Sequence, residues 1–308
     1  MSDHVTRRDF LRNSSLVATA ALAGDWTRGA ARAIEPIARN GVAKFKFSLA
    51  AYSYRDLFSA KKGDDRAPLT LFDFVDDCAK MGLDGTELTS YYFPSDTDDP
   101  YLRQLKQHCF RLGLDVSGTA VGNDFCHPPG PERDKQLASV KRWVDRAEIL
   151  GAPIIRIFSG SVKEKQTESE ARNLAVAAIE ECCQYAGRHG IYLALENHGG
   201  LTATIDGLLG LVRAVESPWF AVNLDTGNFN SSDPYSDVAQ LAPYAMNVQV
   251  KISMHPAGGQ RERADFKRLA RILSDAAYRG YIVLEFEEPE EPREACPRYI
   301  DEIRAAFA

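Results

Sequence analysis

The chain has 308 residues with 43 Asp or Glu and 37 Lys or Arg, so its formal net charge is −6 at pH 7. An acidic chain of this kind lacks the basic face that binds phosphate backbones, which excludes a nucleic-acid partner. About 275 residues follow the N-terminal signal predicted below. They are enough to bury roughly three quarters of the unfolded surface in one core, and no apolar run among them is long enough to span a membrane.

The first residues predict an export signal. Two adjacent arginines, Arg7 and Arg8, precede a Phe-Leu pair and a short apolar run. A basic start, a short apolar stretch and small residues after it make a signal peptide, and the arginine pair indicates the twin-arginine route. Ala-x-Ala sites end at Ala23 and Ala33, of which we favour Ala33. We therefore predict a signal peptide over residues 1–33, the twin-arginine export machinery as a partner and a periplasmic protein.

Six cysteines in an exported protein raise the question of disulfides. Cys78, Cys109, Cys182 and Cys183 fall inside apparent helices, and the last two are neighbours whose side chains point in different directions. Buried free thiols explain this placement better than a disulfide framework does.

Short strand-like runs alternate with helical patterns along the rest of the chain. The strand-like runs begin near residues 45, 84, 114, 153, 191, 219, 246 and 281. The clearest helical patterns cover residues 69–82, 101–113, 137–151 and 171–190. Eight strand–helix units predict an α/β fold, a single-domain (β/α)8 TIM barrel over residues 44–308. An open doubly wound sheet would need a glycine-rich first turn, which this sequence lacks.

Glycines mark where several of the predicted helices end. The glycines that we assign to helix ends are Gly82, Gly113, Gly151, Gly190 and Gly280. A glycine accepts the left-handed conformation that closes a helix. Near the C-terminus, Asp265 is predicted to cap the start of a helix. Arg261 and Arg263 precede it, and we interpret them as solvated charges rather than as an anion clamp.

Four predicted strands in the C-terminal half each end on a residue that can bind a metal. These residues are Glu196, Asp225, Gln249 and Glu285. Because parallel strands of a barrel place their carboxyl ends at one face, we expect the four side chains to lie together. Three carboxylates and an amide oxygen suit a hard divalent cation. We expect Mn²⁺, with Mg²⁺, Co²⁺ or Zn²⁺ as alternatives.

Other polar residues near the strand ends are candidate substrate contacts. They are His198, Lys251, Arg156, Glu87, Asn123 and Glu287. His198 follows Glu196 by two positions, so strand alternation directs both to one face. Lys251 follows Gln249 in the same way, and either neutralises an oxyanion or pairs with Glu285 or Glu287. Arg156 points either to substrate or into a structural ion pair.

The order Glu, Asp, His or Gln, Glu on successive strands resembles the xylose isomerase-like TIM barrel superfamily. The segments that carry the resemblance are residues 85–94, 195–198, 224–228, 248–251 and 280–287. It implies a metal-dependent proton transfer in which Glu196 and Glu285 flank the metal. One removes a proton beside a sugar carbonyl and the other returns it through a cis-enediolate, while the metal stabilises the developing charge.

The sequence departs from common family patterns at two places. Many relatives carry Asp-x-x-His where this chain has Asn228, and His-x-His where it has Asn247 and Gln249. A glutamine at that position resembles the hydroxypyruvate isomerase branch, which implies an intact metal site. Asn228 is then a candidate substrate contact, but not in the manner of a ketose 3-epimerase. The nuclease branch of the superfamily needs a histidine-rich zinc cluster. This chain has six histidines, which are too few for such a cluster.

These observations lead us to expect a sugar isomerase or epimerase. Because phosphorylated sugars are mostly kept inside cells, export favours an unphosphorylated sugar or keto-sugar as the substrate. A lyase or hydratase that eliminates a group from a keto-sugar, keto-glycoside or inosose is the alternative. A non-catalytic sugar-binding barrel is a further one. The oligomeric state stays open, and a homo-oligomer is among the states that the sequence allows.

Overall fold

The computed structural model of the protein describes residues 34–59 and 68–308. The predicted signal peptide, residues 1–33, and both of its cleavage sites lie outside these residues. No helix in the described ranges is long and apolar enough to cross a membrane.

Eight parallel strands form a closed barrel in the order β1-β10-β7-β6-β5-β4-β3-β2. The barrel strands are β1 (Lys44–Ala50), β2 (Gly85–Thr89), β3 (Asp115–Ala120), β4 (Ile154–Ile157), β5 (Tyr192–Glu196), β6 (Phe220–Asp225), β7 (Ala245–Val250) and β10 (Arg279–Leu284). Each begins within two residues of the start that the sequence predicts. The predicted (β/α)8 barrel is therefore confirmed.

Helices alternate with these strands along the chain. In the described residues they are α1 (Leu71–Lys80), α2 (Asp99–Arg111), α3 (Pro131–Leu150), α4 (Glu168–Arg188), α5 (Ile205–Ala214), α6 (Pro234–Leu241), α7 (Phe266–Asp275) and α8 (Pro292–Phe307). A short antiparallel pair, β8 (Ser253–Met254) and β9 (Glu262–Arg263), interrupts the connection between β7 and α7. The sequence did not predict this pair.

Local sequence explains where the helices begin and end. Thr167 begins α4 with a capping box, in which its side chain accepts from the amide of Glu170 and the Glu170 carboxylate accepts in return. Asp265 caps α7 as predicted, because its side chain accepts from the amide of Arg268. Gly151 follows α3 with φ +79°, the left-handed conformation that a helix-closing glycine adopts.

One predicted helix end is wrong. Gly280 lies inside β10 and not at the end of a helix. Helix α7 ends at Asp275, and the positive φ that follows belongs to Ala277. Gly280 is instead required by packing, since a Cβ there would lie 2.5 Å from the hydroxyl of the buried Tyr278.

The interior of the barrel is apolar near the amino ends of the strands and polar near their carboxyl ends. Near the amino ends, Ile154, Ala194 and Ala221 form a small apolar cluster. Two residues further along the same strands stand Arg156, Glu196 and Asn223, all buried. Alternation along a strand keeps each such pair on one face. The apolar layer therefore closes the floor of the barrel, and the polar layer above it faces the carboxyl ends.

The six cysteines are all free and buried, as the sequence predicts. Cys182 and Cys183 contribute to the core between the sheet and the helices. Neither neighbour pairs with the other, so packing accounts for these residues.

Loss of the α7 cap should lower stability. Asp265→Ala is expected to reduce the free energy of unfolding by about 1 kcal/mol, because the Arg268 amide loses its acceptor. Asp275→Ala is a matched control at the opposite end of α7, where an exposed acidic side chain opposes the helix dipole. It should leave stability unchanged or slightly higher. Urea titration followed by circular dichroism measures both, and equal losses would contradict the capping role.

Candidate active site

Glu196, at the end of β5, is buried against two side chains. The Nε atom of Arg156 lies 2.9 Å from one carboxylate oxygen, and the Nδ2 atom of Asn228 donates to the other at 2.9 Å. The guanidinium carbon of Arg156 sits 4.0 Å from the ring centre of Phe158. Burial raises the pKa of Glu196 to about 7, although the charge of Arg156 opposes this. This carboxyl group can therefore hold a proton near neutral pH.

A second group of charges surrounds Lys251, just beyond β7. Its Nζ atom lies 2.7 Å from Glu285, 2.9 Å from Glu287 and 3.5 Å from Asp225. Burial acts to raise the pKa of Glu285, but the Lys251 ammonium outweighs it and the pKa is lowered. Burial raises the pKa of Asp225 well above its ordinary value. Glu285 therefore carries the negative charge, and Asp225 resists ionisation.

Glu87 closes a ring of buried hydrogen bonds with three amide side chains. Its two carboxylate oxygens accept from Gln249 Nε2 at 2.7 Å and from Asn247 Nδ2 at 2.8 Å. Asn247 also donates to Asn223 Oδ1 at 2.7 Å, and Asn223 donates to Gln249 Oε1 at 2.6 Å. Burial raises the pKa of Glu87 to about 7. Because each amide nitrogen donates and each amide oxygen accepts, this ring fixes the orientation of each amide.

The ring bears directly on Gln249, one of the predicted metal ligands. Its amide nitrogen is turned to Glu87, so its oxygen faces Asn223. An amide oxygen has two lone pairs, and the bond from Asn223 occupies one of them. Gln249 thus keeps one acceptor position for a further partner.

Two of the predicted substrate contacts lie at the rim. His198 is exposed beyond β5, and its ring centre is 4.7 Å from that of Phe158. Asn123 binds the backbone of Phe158 at both ends of its amide, donating to the carbonyl at 2.7 Å and accepting from the amide at 2.9 Å. In this structure Asn123 therefore holds the segment after β4 that supports Arg156.

A small cleft opens beside Lys251. It has a volume of about 70 Å³ and is lined by residues that include Asn228, Lys251, His255, Arg261 and Glu287. Ligand pockets usually begin at roughly 300 Å³. This cleft is therefore smaller than the pockets that usually hold a ligand. Arg261 is paired with Glu288, which agrees with its interpretation as a charge held at the surface.

The buried carboxyl groups are the candidate ligands of a divalent cation. Within residues 34–59 and 68–308, no group of three or more His, Cys, Asp or Glu side chains is arranged to hold a metal ion. The donor chemistry nevertheless fits one, since Glu196, Asp225 and Glu285 are all buried carboxyl groups. The Oδ2 atom of Asp225 is buried and has no hydrogen-bond partner among the described residues. The position beside Asp225 and Glu285 is taken by the ammonium of Lys251.

Sequence reasoning assigned no role to Asn223 and Asn247. Both could have been found from strand alternation, because Asn223 precedes Asp225 by two positions and Asn247 precedes Gln249 in the same way. The structure pairs Asn223 with Asn247 and Asp225 with Gln249 across β6 and β7. The two asparagines therefore form a layer directly below the candidate ligands.

A sequence profile of the xylose isomerase-like TIM barrel family matches residues 75–304. The chain therefore belongs to this family. No curated protein sequence matches it.

Solved structures that share the fold include several sugar-converting enzymes. A D-psicose 3-epimerase from Clostridium cellulolyticum H10 superposes with a TM-score of 0.70 at 16% identity, covering 85% of this chain and 99% of the other. A 3-keto-D-glucoside 4-epimerase from E. coli gives 0.63 at 15% identity, covering 85% and 99%. A probable 3-DHS dehydratase from Bacillus anthracis gives 0.63 at 19% identity, covering 84% and 98%. At these identities the similarity establishes a shared fold.

The raised pKa of Glu87 predicts a pH-dependent stability. Below its ordinary pKa of 4.5 both states hold the proton, whereas between 4.5 and about 7 only the folded state keeps it. The free energy of unfolding of chelator-treated protein should therefore fall as pH rises through this range, and Glu87 contributes on the order of 3 kcal/mol. Glu87→Gln should flatten the fall, since a neutral amide has no proton to release.

Urea titrations at a series of pH values measure this slope. The variant is also expected to be less stable overall, because one amide donor loses its acceptor, so the slope is the informative quantity. Glu164→Gln, a change at an exposed glutamate, serves as the control. A Glu87→Gln slope equal to that of the control would contradict the prediction.

Proposed function

We propose that the protein is a metal-dependent sugar isomerase or epimerase that works by proton transfer through a cis-enediolate. The observation that carries the proposal is a pair of buried carboxyl groups, Glu196 and Glu285, at the carboxyl ends of barrel strands. Each is held by its own cation, Arg156 or Lys251. A pair of carboxyl groups can serve as the base and the acid of a proton transfer.

The reaction begins with the removal of a proton from the carbon beside a sugar carbonyl. Such a proton is weakly acidic, and a divalent cation held by Glu196, Asp225, Gln249 and Glu285 would act as a Lewis acid that stabilises the negative charge. In this proposal one of the two carboxyl groups, Glu196 or Glu285, removes the proton and the other returns it.

Neighbouring side chains in this proposal hold the acid and the base in place. Arg156, stacked on Phe158, fixes one oxygen of Glu196, and Asn228 fixes the other. An asparagine donates without itself titrating, so it orients Glu196 at any pH. Glu87, His198, Asn123 and Glu287 are proposed to shape the substrate side of the site.

A lyase on the same site is the second candidate. An enolate formed by proton removal can expel a group from the neighbouring carbon, and Glu196 could protonate that group as it leaves. A probable 3-DHS dehydratase and a D-psicose 3-epimerase both share the fold, so the fold supports a lyase as much as an epimerase. The two differ in their products, since elimination yields a product that is one water or one aglycone lighter and isomerisation conserves mass.

Substitution of either carboxyl group should stop proton transfer. Glu196→Gln and Glu285→Gln are each expected to reduce turnover by a factor of 100 or more, on the order of the usual contribution of general acid–base catalysis. The assay incubates unphosphorylated aldoses, ketoses and 3-keto-glycosides with enzyme and Mn²⁺ in D₂O, and mass spectrometry follows deuterium uptake. Glu168→Gln, at an exposed position on α4, is the control.

The same assay separates the rival functions. Deuterium uptake without any other change in the mass of the sugar indicates an isomerase or epimerase. Loss of water or of an aglycone indicates a lyase. Treatment with a chelator should stop uptake and added Mn²⁺ should restore it. Full activity in both variants would overturn the assignment, and no exchange with any substrate would favour a sugar-binding protein.

The substrate class rests on the proposed export of the protein to the periplasm through the twin-arginine route, which favours an unphosphorylated sugar. Replacing Arg7 and Arg8 by lysine keeps the charge but removes the guanidinium pair that defines the signal. The periplasmic fraction of the full chain should then fall strongly. Arg12→Lys in the same segment should leave it unchanged. Equal distribution of both variants between cell fractions, measured by immunoblot, would contradict this route.

A further inference from the structure

The ammonium of Lys251 lies beside Asp225 and Glu285, which the proposed function assigns to a divalent cation. Its Nζ atom contacts the buried Glu285 and the exposed Glu287, at 2.7 and 2.9 Å, and approaches the buried Asp225 at 3.5 Å. The lysine is itself 8% exposed. It thus joins the interior carboxyl groups to a carboxylate at the rim.

The ammonium satisfies these interior groups only in part. Glu285 receives a short contact, whereas the Oδ2 atom of Asp225 has no hydrogen bond within the described part of the chain. A lysine ammonium is a single charge on a flexible stem. A divalent cation beside Asp225 and Glu285 would repel it strongly at such short range, because both are positive in a poorly hydrated site.

The path by which Lys251 could leave is short and defined. Glu287 already lies 2.9 Å from Nζ, so a small rotation of the side chain keeps this ion pair and breaks the contact with Glu285. The stem packs closely against the backbone of Gly227, where a Cβ would lie 2.6 Å from Cγ of Lys251. Motion is therefore concentrated at the Nζ end of the Lys251 side chain. Arg156 has less freedom, because it donates to the carbonyl of Val121 at 3.2 Å and its guanidinium lies over the ring of Phe158.

We propose that Lys251 is an internal counter-cation of the site, which holds Asp225 and Glu285 in the metal-free protein and moves to Glu287 when a divalent cation binds. The inference rests on the metal site of the proposed function. Cation affinity then reflects a competition inside the protein. Removal of the competitor strengthens binding, and removal of its alternative partner weakens it.

Matched variants separate this competition from a general effect of charge. Lys251→Met and Arg261→Met each remove one positive charge at the mouth, but Arg261 is paired with Glu288. Glu287→Gln and Glu288→Gln each remove one negative charge there, but Lys251 is paired with Glu287. Lys251→Met and Glu287→Gln therefore change Lys251 or its ion pair, whereas Arg261→Met and Glu288→Gln leave both in place.

Isothermal titration of Mn²⁺ into the chelator-treated protein provides the measurement. Lys251→Met should bind Mn²⁺ roughly tenfold more tightly than Arg261→Met does, and Glu287→Gln should bind it several-fold more weakly than Glu288→Gln does. Without metal, Lys251→Met should melt at a lower temperature than wild type, since buried carboxylates lose their cation. Its rise in melting temperature on addition of Mn²⁺ should exceed that of wild type. Glu287→Gln changes an exposed side chain, so it tests the inference even if Lys251→Met folds poorly.

The inference fails if Lys251→Met binds no more tightly than Arg261→Met, or if Glu287→Gln binds no more weakly than Glu288→Gln. If neither wild type nor Lys251→Met binds Mn²⁺, Lys251 is the permanent cation of the site, and the inference and the metal dependence of the proposed function fail together. Failure of the proposed function alone looks different. Wild type would then bind Mn²⁺ with the expected order of affinities and yet exchange no deuterium into any sugar.

Discussion

The burial of charge inside a closed barrel is the constraint on which the site depends. The upper interior holds four buried carboxyl groups, and a lone buried charge is too costly to persist without a partner or a proton. The groups are Glu87, Glu196, Asp225 and Glu285. Glu87 accepts from two amides, Glu196 is paired with Arg156, and Glu285 is paired with Lys251. Burial raises the pKa of Glu87, Glu196 and Asp225, whereas Lys251 lowers the pKa of Glu285.

The amide ring around Glu87 links the floor of the barrel to the candidate ligands. It decides which atom of Gln249 is turned away from Glu87. Histidines at the positions of Asn247 and Gln249 would bring ring nitrogens that titrate near neutral pH. Amides in their place give a layer whose hydrogen bonds depend on one titrating group, Glu87.

Sequence patterns are informative about this fold because strand and helix signals are local. The starts of all eight barrel strands and the cap at Asp265 follow from alternation, periodicity and capping rules within short windows. Gly280 was misassigned because a glycine that avoids a clash with Tyr278 has the same sequence signature as one that ends a helix.

Pairing within the site was much less predictable. The sequence places Lys251 near Glu285 and Glu287, but its contact with Asp225 depends on how β6, β7 and β10 meet in space. The bonds of Asn123 to the backbone of Phe158 likewise depend on how the segments after β3 and β4 meet in space. Such choices are set by three-dimensional register, which local patterns do not encode.

The six buried thiols bear on the proposed export of the protein. Burial raises the pKa of every one of them, so in the folded barrel they are poor nucleophiles and out of reach of oxidants. In an unfolded chain the same thiols would be free to pair at random in an oxidising compartment. A protein that folds before it enters such a compartment keeps its thiols buried and protected from oxidation. A protein that crosses the membrane unfolded would expose them.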